Sequence, residues 1–283
     1  MKDFVSIIIP VFNDPEGIRK ALDALMVQTC FRESYEIIIA DNGSNDDTLR
    51  IINEYRCKYP SLVRVVFENK IQSSYAARNK AITEARGHIL AFTDSDCIPE
   101  TNWVEAGIYT LKNKKASSGG GHITFFYKAE QPNLYEFYDS SRKLNQQSFV
   151  ENAGFAATAN FFAERRLFEL YGLFRSDLIS GGDYDFGRRL TKGGEKIIYI
   201  PNAVVKHPAR STLHEIYKKS KRVAIGQKEL QSLGLLEHGT ISWRRWLPVL
   251  SYIKAKGMTF QQKVQLLLLA NFFQYMNLFR RIL

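Results

Sequence analysis

The chain is predicted to be an α/β protein: a mainly parallel sheet flanked by helices, with a helical C-terminal extension. Three observations predict it. Over the first hundred residues, short β-branched apolar runs alternate with amphipathic stretches whose apolar residues fall three or four apart. The apolar runs are near-continuous rather than alternating, as in parallel strands covered on both faces. After Ser211 the composition turns basic and aromatic with helical spacing. At 283 residues and 45% hydrophobic, the chain can build one large α/β domain plus an appendage.

In chain order, Val5–Ile9, Glu36–Ala40, Val63–Phe67 and Ile89–Phe92 read as strands. Pro15–Gln28, Asp46–Tyr59 and Ser73–Arg86 read as the intervening helices. Asp14-Pro15 and Ser44-Asn45-Asp46 supply helix-start chemistry, and Gly87 is expected to stop the third helix. The middle third is less regular. Ser117–Tyr127 reads as a strand opened by glycines, Thr158–Ala163 as a short strand, and Glu164–Tyr171 as a helix. Ser180-Gly181-Gly182-Asp183 leads into a helix through Leu190, ended by Gly193-Gly194, and Lys196–Ile200 and Ala203–His207 are two expected closing strands. This predicts one domain over residues 1–210 and a helical extension over 211–283.

Composition narrows the partners. Cys30, Cys57 and Cys97 are scattered and lack CxxC spacing, which argues for a reducing compartment rather than a disulfide framework or a zinc site. The run Val5–Ile9, closed by Pro10, is too short for a signal segment or a membrane span, so the expected location is cytoplasmic. Residues 206–283 carry 14 Lys or Arg against 3 Asp or Glu, while residues 1–205 carry 25 against 26. A near-neutral body with a basic C-terminal third suggests an anionic partner surface, either a membrane leaflet or nucleic acid. A solvated helical face reads the same way.

In open parallel sheets, ligands bind off the carboxyl ends of the strands. Three such ends stand out: Pro10-Val11-Phe12-Asn13, Asp41-Asn42-Gly43-Ser44 and Thr93-Asp94-Ser95-Asp96. Asp94 and Asp96 are two residues apart on an extended chain, so both carboxylates can approach one hard divalent cation that keeps positions open for phosphate oxygens. A solvated Asp-Ser-Asp turn is the competing reading. Asp41 is first a turn residue, but in a crevice its carboxylate could accept the imide N–H of a pyrimidine and select uracil over cytosine. Arg78 is a solvated helix residue unless its helix lines the crevice, where it could neutralise diphosphate oxygens.

Taken in order, Ser6–Asn13, Asp41–Ser44 with Asp46-Asp47-Thr48, Ala77–Asn79 and Phe92–Asp96 resemble the family-2 glycosyltransferases of the GT-A, Rossmann-like fold. The resemblance continues through Ala159–Ala163 with Arg165-Arg166, Gly182–Phe186 and Val204–His207, covering roughly residues 4–210. It implies a nucleotide-sugar half over about 1–98 and an acceptor half over about 99–210. It also implies an inverting transferase that uses a nucleotide-diphosphate sugar, expected to be a UDP-sugar, with Mn²⁺ or Mg²⁺. Donor-nucleotide contacts would come from Pro10, Val11, Asn13, Asp41, Arg78, Asp94 and Ser95. Asp96 would be the direct metal ligand and Asp94 its supporting partner. His207 matches a further metal position in that fold, with a structural histidine as the alternative.

Inverting transfer needs one base and an electrophile for the leaving diphosphate. Where the family places a Glu-Asp pair, this chain has Gly182-Asp183, so the resemblance makes Asp183 the base. A helix N-terminus tends to lower a carboxylate pKa, so such a base must be partly desolvated. Asp185 competes for the role but sits four residues before Arg189, as in a helix ion pair. Asp185, Gly182 and Asn160 are the implied acceptor or sugar contacts, although a strand-end Asn can equally cap a turn.

In the tail, Trp243–Pro248 places aromatics beside cations, and Val264–Leu283 is apolar but too polar to span a bilayer. It could lie on the anionic inner face of a cell membrane, pack on the catalytic body, or join a second subunit as a homo-oligomer. Processive relatives carry a QxxRW motif; here Ser242 replaces the Gln before Arg245-Trp246, so a single-addition enzyme acting on a saccharide or lipid-linked acceptor is expected. Nucleic acid is the disfavoured partner. The rival classes are a nucleotidyltransferase, against which Pro10–Asp14 lacks a glycine-rich phosphate loop, and an inactive nucleotide- or membrane-binding scaffold.

Overall fold

The computed structural model describes residues 4–142, 144–236 and 259–282. Among them, eight strands form one sheet: β1 (Val5–Val11), β2 (Tyr35–Asp41), β3 (Val63–Phe67), β4 (Ile89–Thr93), β5 (Ile98–Pro99), β6 (Ser118–Phe126), β7 (Asn160–Glu164) and β8 (Ile197–Pro208). Their order is β3-β2-β1-β4-β7-β6-β8-β5. β1 is parallel to β2 and β4, and β2 to β3, whereas β7 is antiparallel to β4 and β6, and β5 to β8. The helices are α1 (Pro15–Met26), α2 (Thr48–Lys58), α3 (Ser74–Glu84), α4 (Trp103–Lys114), α5 (Leu134–Ser141), α6 (Gln146–Ala153), α7 (Arg166–Tyr171), α8 (Gly182–Lys192), α9 (Leu213–Ser232) and α10 (Phe260–Ile282).

The strand pattern has a direct cause. Alternate side chains of one strand leave on opposite faces, so a strand covered on both sides must be apolar throughout. Ile7 and Ile9 join Ile37, Ile39, Ile18 and Leu22 in the core on one face. Ile8 joins Ile38, Leu90, Phe92, Ala77, Ala81 and Phe186 on the other. Each such buried side chain contributes about 1.5–3 kcal/mol. α1 starts where Asp14 accepts the Gly17 N–H at 3.0 Å, with proline following it, and α3 starts where the Ser73 side chain accepts the Tyr75 N–H.

The structure changes two sequence expectations and adds three helices that the sequence pattern did not predict. The two closing strands are one continuous strand, β8, because Pro201-Asn202 continues extended. α3 ends at Glu84, with Ala85 already extended, so Gly87 is not its stop. α4 carries a mid-helix glycine, which lowers helix propensity, but a Cβ at Gly107 would lie 2.3 Å from the Phe162 ring. Packing against β7 therefore outweighs propensity there. α5 and α6 are eight-residue helices started by the side chains of Asn133 and Asn145, a signal too local to read from periodicity.

The chain forms two compact units: residues 1–125, 144–177 and 182–208, and residues 126–143, 178–181 and 209–283. Two short segments thus return to join the C-terminal helices, which a single linear boundary near 210 does not anticipate. In the second unit, α5, α9 and α10 pack through Tyr138, Ile216, Leu266, Ala270 and Phe273, with Tyr138 and Phe273 stacked at 5.5 Å. Buried Asp139 there accepts from Arg210 at 3.1 Å and Lys219 at 3.0 Å. The Trp243–Pro248 segment and the Ser242-to-Trp246 motif lie outside the described residues.

Candidate active site

The first unit gathers its chemistry at one end of the sheet. Parallel register sets Val11 beside Asp41, and β4–β7 pairing sets Thr93 beside Asn160. At that end the β1 and β2 loops are stitched together. The Asn13 N–H donates to Ser44 Oγ at 3.0 Å, Asn13 Oδ1 accepts from the Asn45 N–H at 2.9 Å, and the Asp14 N–H donates to Thr48 Oγ1 at 2.9 Å. Pro10 and Val11 are buried in β1 and shape this edge by packing.

Asp41 is buried, and its Oδ2 accepts the Gly43 and Ser44 N–H groups at 3.0 and 3.1 Å. Its Oδ1 is also buried and has no hydrogen-bond partner among the described residues. An unpaired buried acceptor is costly, so this oxygen keeps capacity for one further donor.

Arg78, buried on α3, donates to the Asp94 carboxylate and sits 5.8 Å from the Tyr75 ring centre. The structure thus makes Arg78 the anchor of the Asp94 carboxylate. Its Nε is buried and unpaired among the described residues. Ser95 Oγ donates to Asp14 Oδ2 at 2.7 Å, so the capping residue of α1 also fixes the loop between the two aspartates.

Antiparallel pairing of Ile98 with Lys206 brings His207 level with Cys97. Ligand atoms of Asp94, Asp96, Cys97 and His207 consequently lie within 4.8 Å of one another. His207 Nδ1 lies 2.8 Å from the Pro208 carbonyl, which can only accept, so Nδ1 is the donor and Nε2 is the nitrogen placed to ligate. Two carboxylates and an imidazole in this arrangement fit a divalent cation. Burial pushes the Cys97 thiol well above its ordinary range, with the charges of Asp96 and Asp94 pushing it further, so it stays an S–H, 3.7 Å from Asp96 Oδ1. Cys97 was not singled out from sequence; its place directly after the aspartate pair was the available signal.

Asp183 opens α8. Its carboxyl pKa is raised, first by desolvation, against the lowering effects of the Tyr184 N–H and the Arg78 guanidinium; the Asp94 charge adds to the rise. The Tyr184 N–H reaches Asp183 Oδ1 at 2.9 Å. Desolvation therefore outweighs the helix terminus. Gly182 is buried against Tyr75: a Cβ there would meet the phenol ring at 2.9–3.0 Å. The glycine that replaces the expected Glu leaves room for that ring.

Two expected sugar contacts are engaged by partners within the protein. Asn160 is fully buried, with Oδ1 accepting from Trp103 Nε1 at 2.8 Å and Nδ2 donating to the His122 and Ala203 carbonyls at 2.8 and 2.9 Å. It pins β7 to its neighbours and has no surface to offer a sugar. Asp185 is buried on Arg189 at 3.0 Å, the helix pair its spacing predicts, and Arg189 holds the Tyr171–Leu173 carbonyls. A groove of about 760 Å³ lies at the other end of the strands, near His88 and Glu164. Its Glu164 and Glu195 are paired with Arg166 at 2.6 and 2.9 Å, and none of Asp41, Asp94 and Asp96 lines it.

The family model for glycosyl transferase family 2 matches residues 6–172. The chain belongs to this family. It is 37% identical over 233 residues to glycosyltransferase AglE of Haloferax volcanii, covering 81% of this chain and 75% of that protein. It is 27% identical to the dolichyl N-acetyl-alpha-D-glucosaminyl phosphate 3-beta-D-2,3-diacetamido-2,3-dideoxy-beta-D-glucuronosyltransferase of Methanococcus voltae, over 77% of this chain and 71% of that one. Among solved structures, the mannosyltransferase PcManGT from Pyrobaculum calidifontis, in complex with GDP-Man and Mn²⁺, superposes with a TM-score of 0.64 at 16% identity, covering 100% of this chain and 74% of that one. S. aureus TarS 1–349 with UDP-GlcNAc gives 0.59 at 17% identity, covering 93% and 70%. These structures share the GT-A fold, and the chain is a glycosyltransferase of that type.

Proposed function

We propose that this enzyme is an inverting, metal-dependent transferase that moves one sugar from a UDP-sugar to a saccharide or lipid-linked acceptor, with Asp183 as general base. The recessed Asp183 carboxyl carries this reading. It sits within electrostatic reach of Arg78 and Asp94, and its pKa is raised toward the range a base needs. The unpaired Asp41 Oδ1 supports a base presenting an imide N–H, which favours uracil over cytosine. The dolichyl phosphate in the name of the Methanococcus voltae relative supports a lipid-linked acceptor.

In this mechanism the donor base lies against Asp41, and Asp183 accepts the proton of the acceptor hydroxyl. That oxygen attacks the anomeric carbon while the bond to the diphosphate breaks, its electron pair leaving with the diphosphate. A single displacement inverts the configuration. Asp94, Asp96 and His207 would hold Mn²⁺ or Mg²⁺, whose charge neutralises the leaving group. Arg78 keeps Asp94 oriented.

The test pairs two variants. Asp183→Asn should retain UDP binding in a thermal-shift assay while losing transfer, typically by about 10²–10⁴-fold for a general base; undiminished transfer would move the base elsewhere. Asp96→Ala should abolish the Mn²⁺-dependent part of the UDP-induced shift, and full activity in that variant would sink the metal assignment. A donor-hydrolysis screen across UDP-, GDP-, CDP- and dTDP-sugars identifies the donor.

A further inference from the structure

The second unit carries an apolar surface that its own packing does not use. On α10, Leu266, Ala270 and Phe273 face α5 and α9. Phe260, Val264, Leu268 and Phe272, each four residues on from the last, share the other face and are 83%, 39%, 66% and 55% exposed. Four large apolar side chains in one exposed row are more than scattered surface hydrophobics. Glutamines flank the row at 261, 262 and 265, and α10 contains no Asp or Glu. On neighbouring α9 the exposed charges are all cationic: Lys218, Lys221, Arg222 and Lys228.

We propose that this row is a docking face for an anionic lipid bilayer, with α10 lying in the interface and the cations of the unit reaching the headgroups. The charge pattern selects this occupant. A second copy of the chain would bring together two surfaces of the same strong positive sign. Nucleic acid would satisfy the cations but leave the apolar row unused. An anionic leaflet takes both, since apolar side chains enter the acyl boundary and each nearby Lys or Arg contributes about 1 kcal/mol of electrostatic attraction. No helix among the described residues is long and apolar enough to cross a membrane, so the contact is interfacial.

The experiment is co-sedimentation of the full chain with vesicles of equal parts phosphatidylglycerol and phosphatidylcholine, and with phosphatidylcholine alone, at low and high salt. Expected is binding to the anionic vesicles, weakened by salt, and reduced about tenfold or more in the Leu268→Glu/Phe272→Glu double variant. A second double variant, Leu268→Ser/Phe272→Ser, removes the apolar contact without adding charge and should also weaken binding. Retained melting temperature and UDP-induced shift in both variants show that the fold persists. Absent binding, equal binding to neutral vesicles, or unchanged binding of both variants overturns the proposal. So does a concentration-dependent dimer that either variant dissolves, which would assign the row to a second copy.

Discussion

Gly182→Ala isolates the part of the site where this chain departs from its family's pattern. Gly182 is not among the positive-φ glycines, so alanine brings no backbone strain and the perturbation is steric. The new methyl group would stand 2.9 Å from Tyr75 Cζ, where ordinary contact begins at 3.4 Å. The ring and the amino end of α8 must therefore separate by about 0.5 Å, at an overpacking cost of about 1–3 kcal/mol. Up to about 1 kcal/mol returns through the better helix propensity of alanine. Melting should fall by only a few degrees. Catalysis is more sensitive, because Asp183 rides on the displaced turn. A misplacement of about 1 Å can cost about 10²-fold, so half of it predicts about a tenfold loss in kcat with donor KM little changed. Tyr75→Leu removes the obstructing ring, so adding Gly182→Ala to that variant should cost little further. Release of nucleoside diphosphate, measured for both single variants and the double, gives a coupling of about 1.4 kcal/mol for that tenfold difference. Additive losses in kcat would refute the idea that Tyr75 and the α8 terminus position the base through this contact.

Three further outcomes follow from the same geometry. The raised Asp183 pKa means the folded state binds this proton more readily than the unfolded chain, so ionising it lowers stability as pH rises through the folded value; Asp183→Asn should melt higher than wild type at neutral pH while inactive, and the acid limb of kcat/KM should lie above the ordinary carboxylate range. Asn160→Ala orphans the Trp103 indole N–H and two carbonyls, costing about 3–9 kcal/mol at about 1–3 per buried group; denaturant titration should show this loss, with donor KM unchanged in the folded fraction. Burial disfavours the charge on Asp139, but Lys219 and Arg210 prevail and hold its pKa low, so its stabilisation is present above the ordinary value and is lost as pH falls through the folded one. Asp139→Ala should cost about 3 kcal/mol, and a melt unaffected by the substitution at neutral pH would show that the buried triad carries no net stability.

What the sequence made legible follows from what each signal depends on. The strands β1 to β4 and the ends carrying Asp41, Asp94 and Asp96 could be read because burial on both faces and ligand chemistry act at short range along the chain. The role of Asn160 could not, since a strand-end Asn looks the same whether it meets a sugar or the Trp103 indole; only the β6–β7–β8 pairing decides. The same limit hid Cys97 and Tyr75. Cys97 meets His207 because residue 98 pairs with residue 206, and Tyr75 meets Gly182 across more than a hundred residues. Gly182 stands where the family resemblance implies a Glu, and nothing near it in the chain indicates what fills that space. The structure puts the Tyr75 ring there, against the turn that carries Asp183 on one side and 5.8 Å from the Arg78 guanidinium on the other. A departure from a motif is thus most informative when read as a volume: the space a larger side chain would need at position 182 is held by the Tyr75 ring, so neither residue should tolerate change alone.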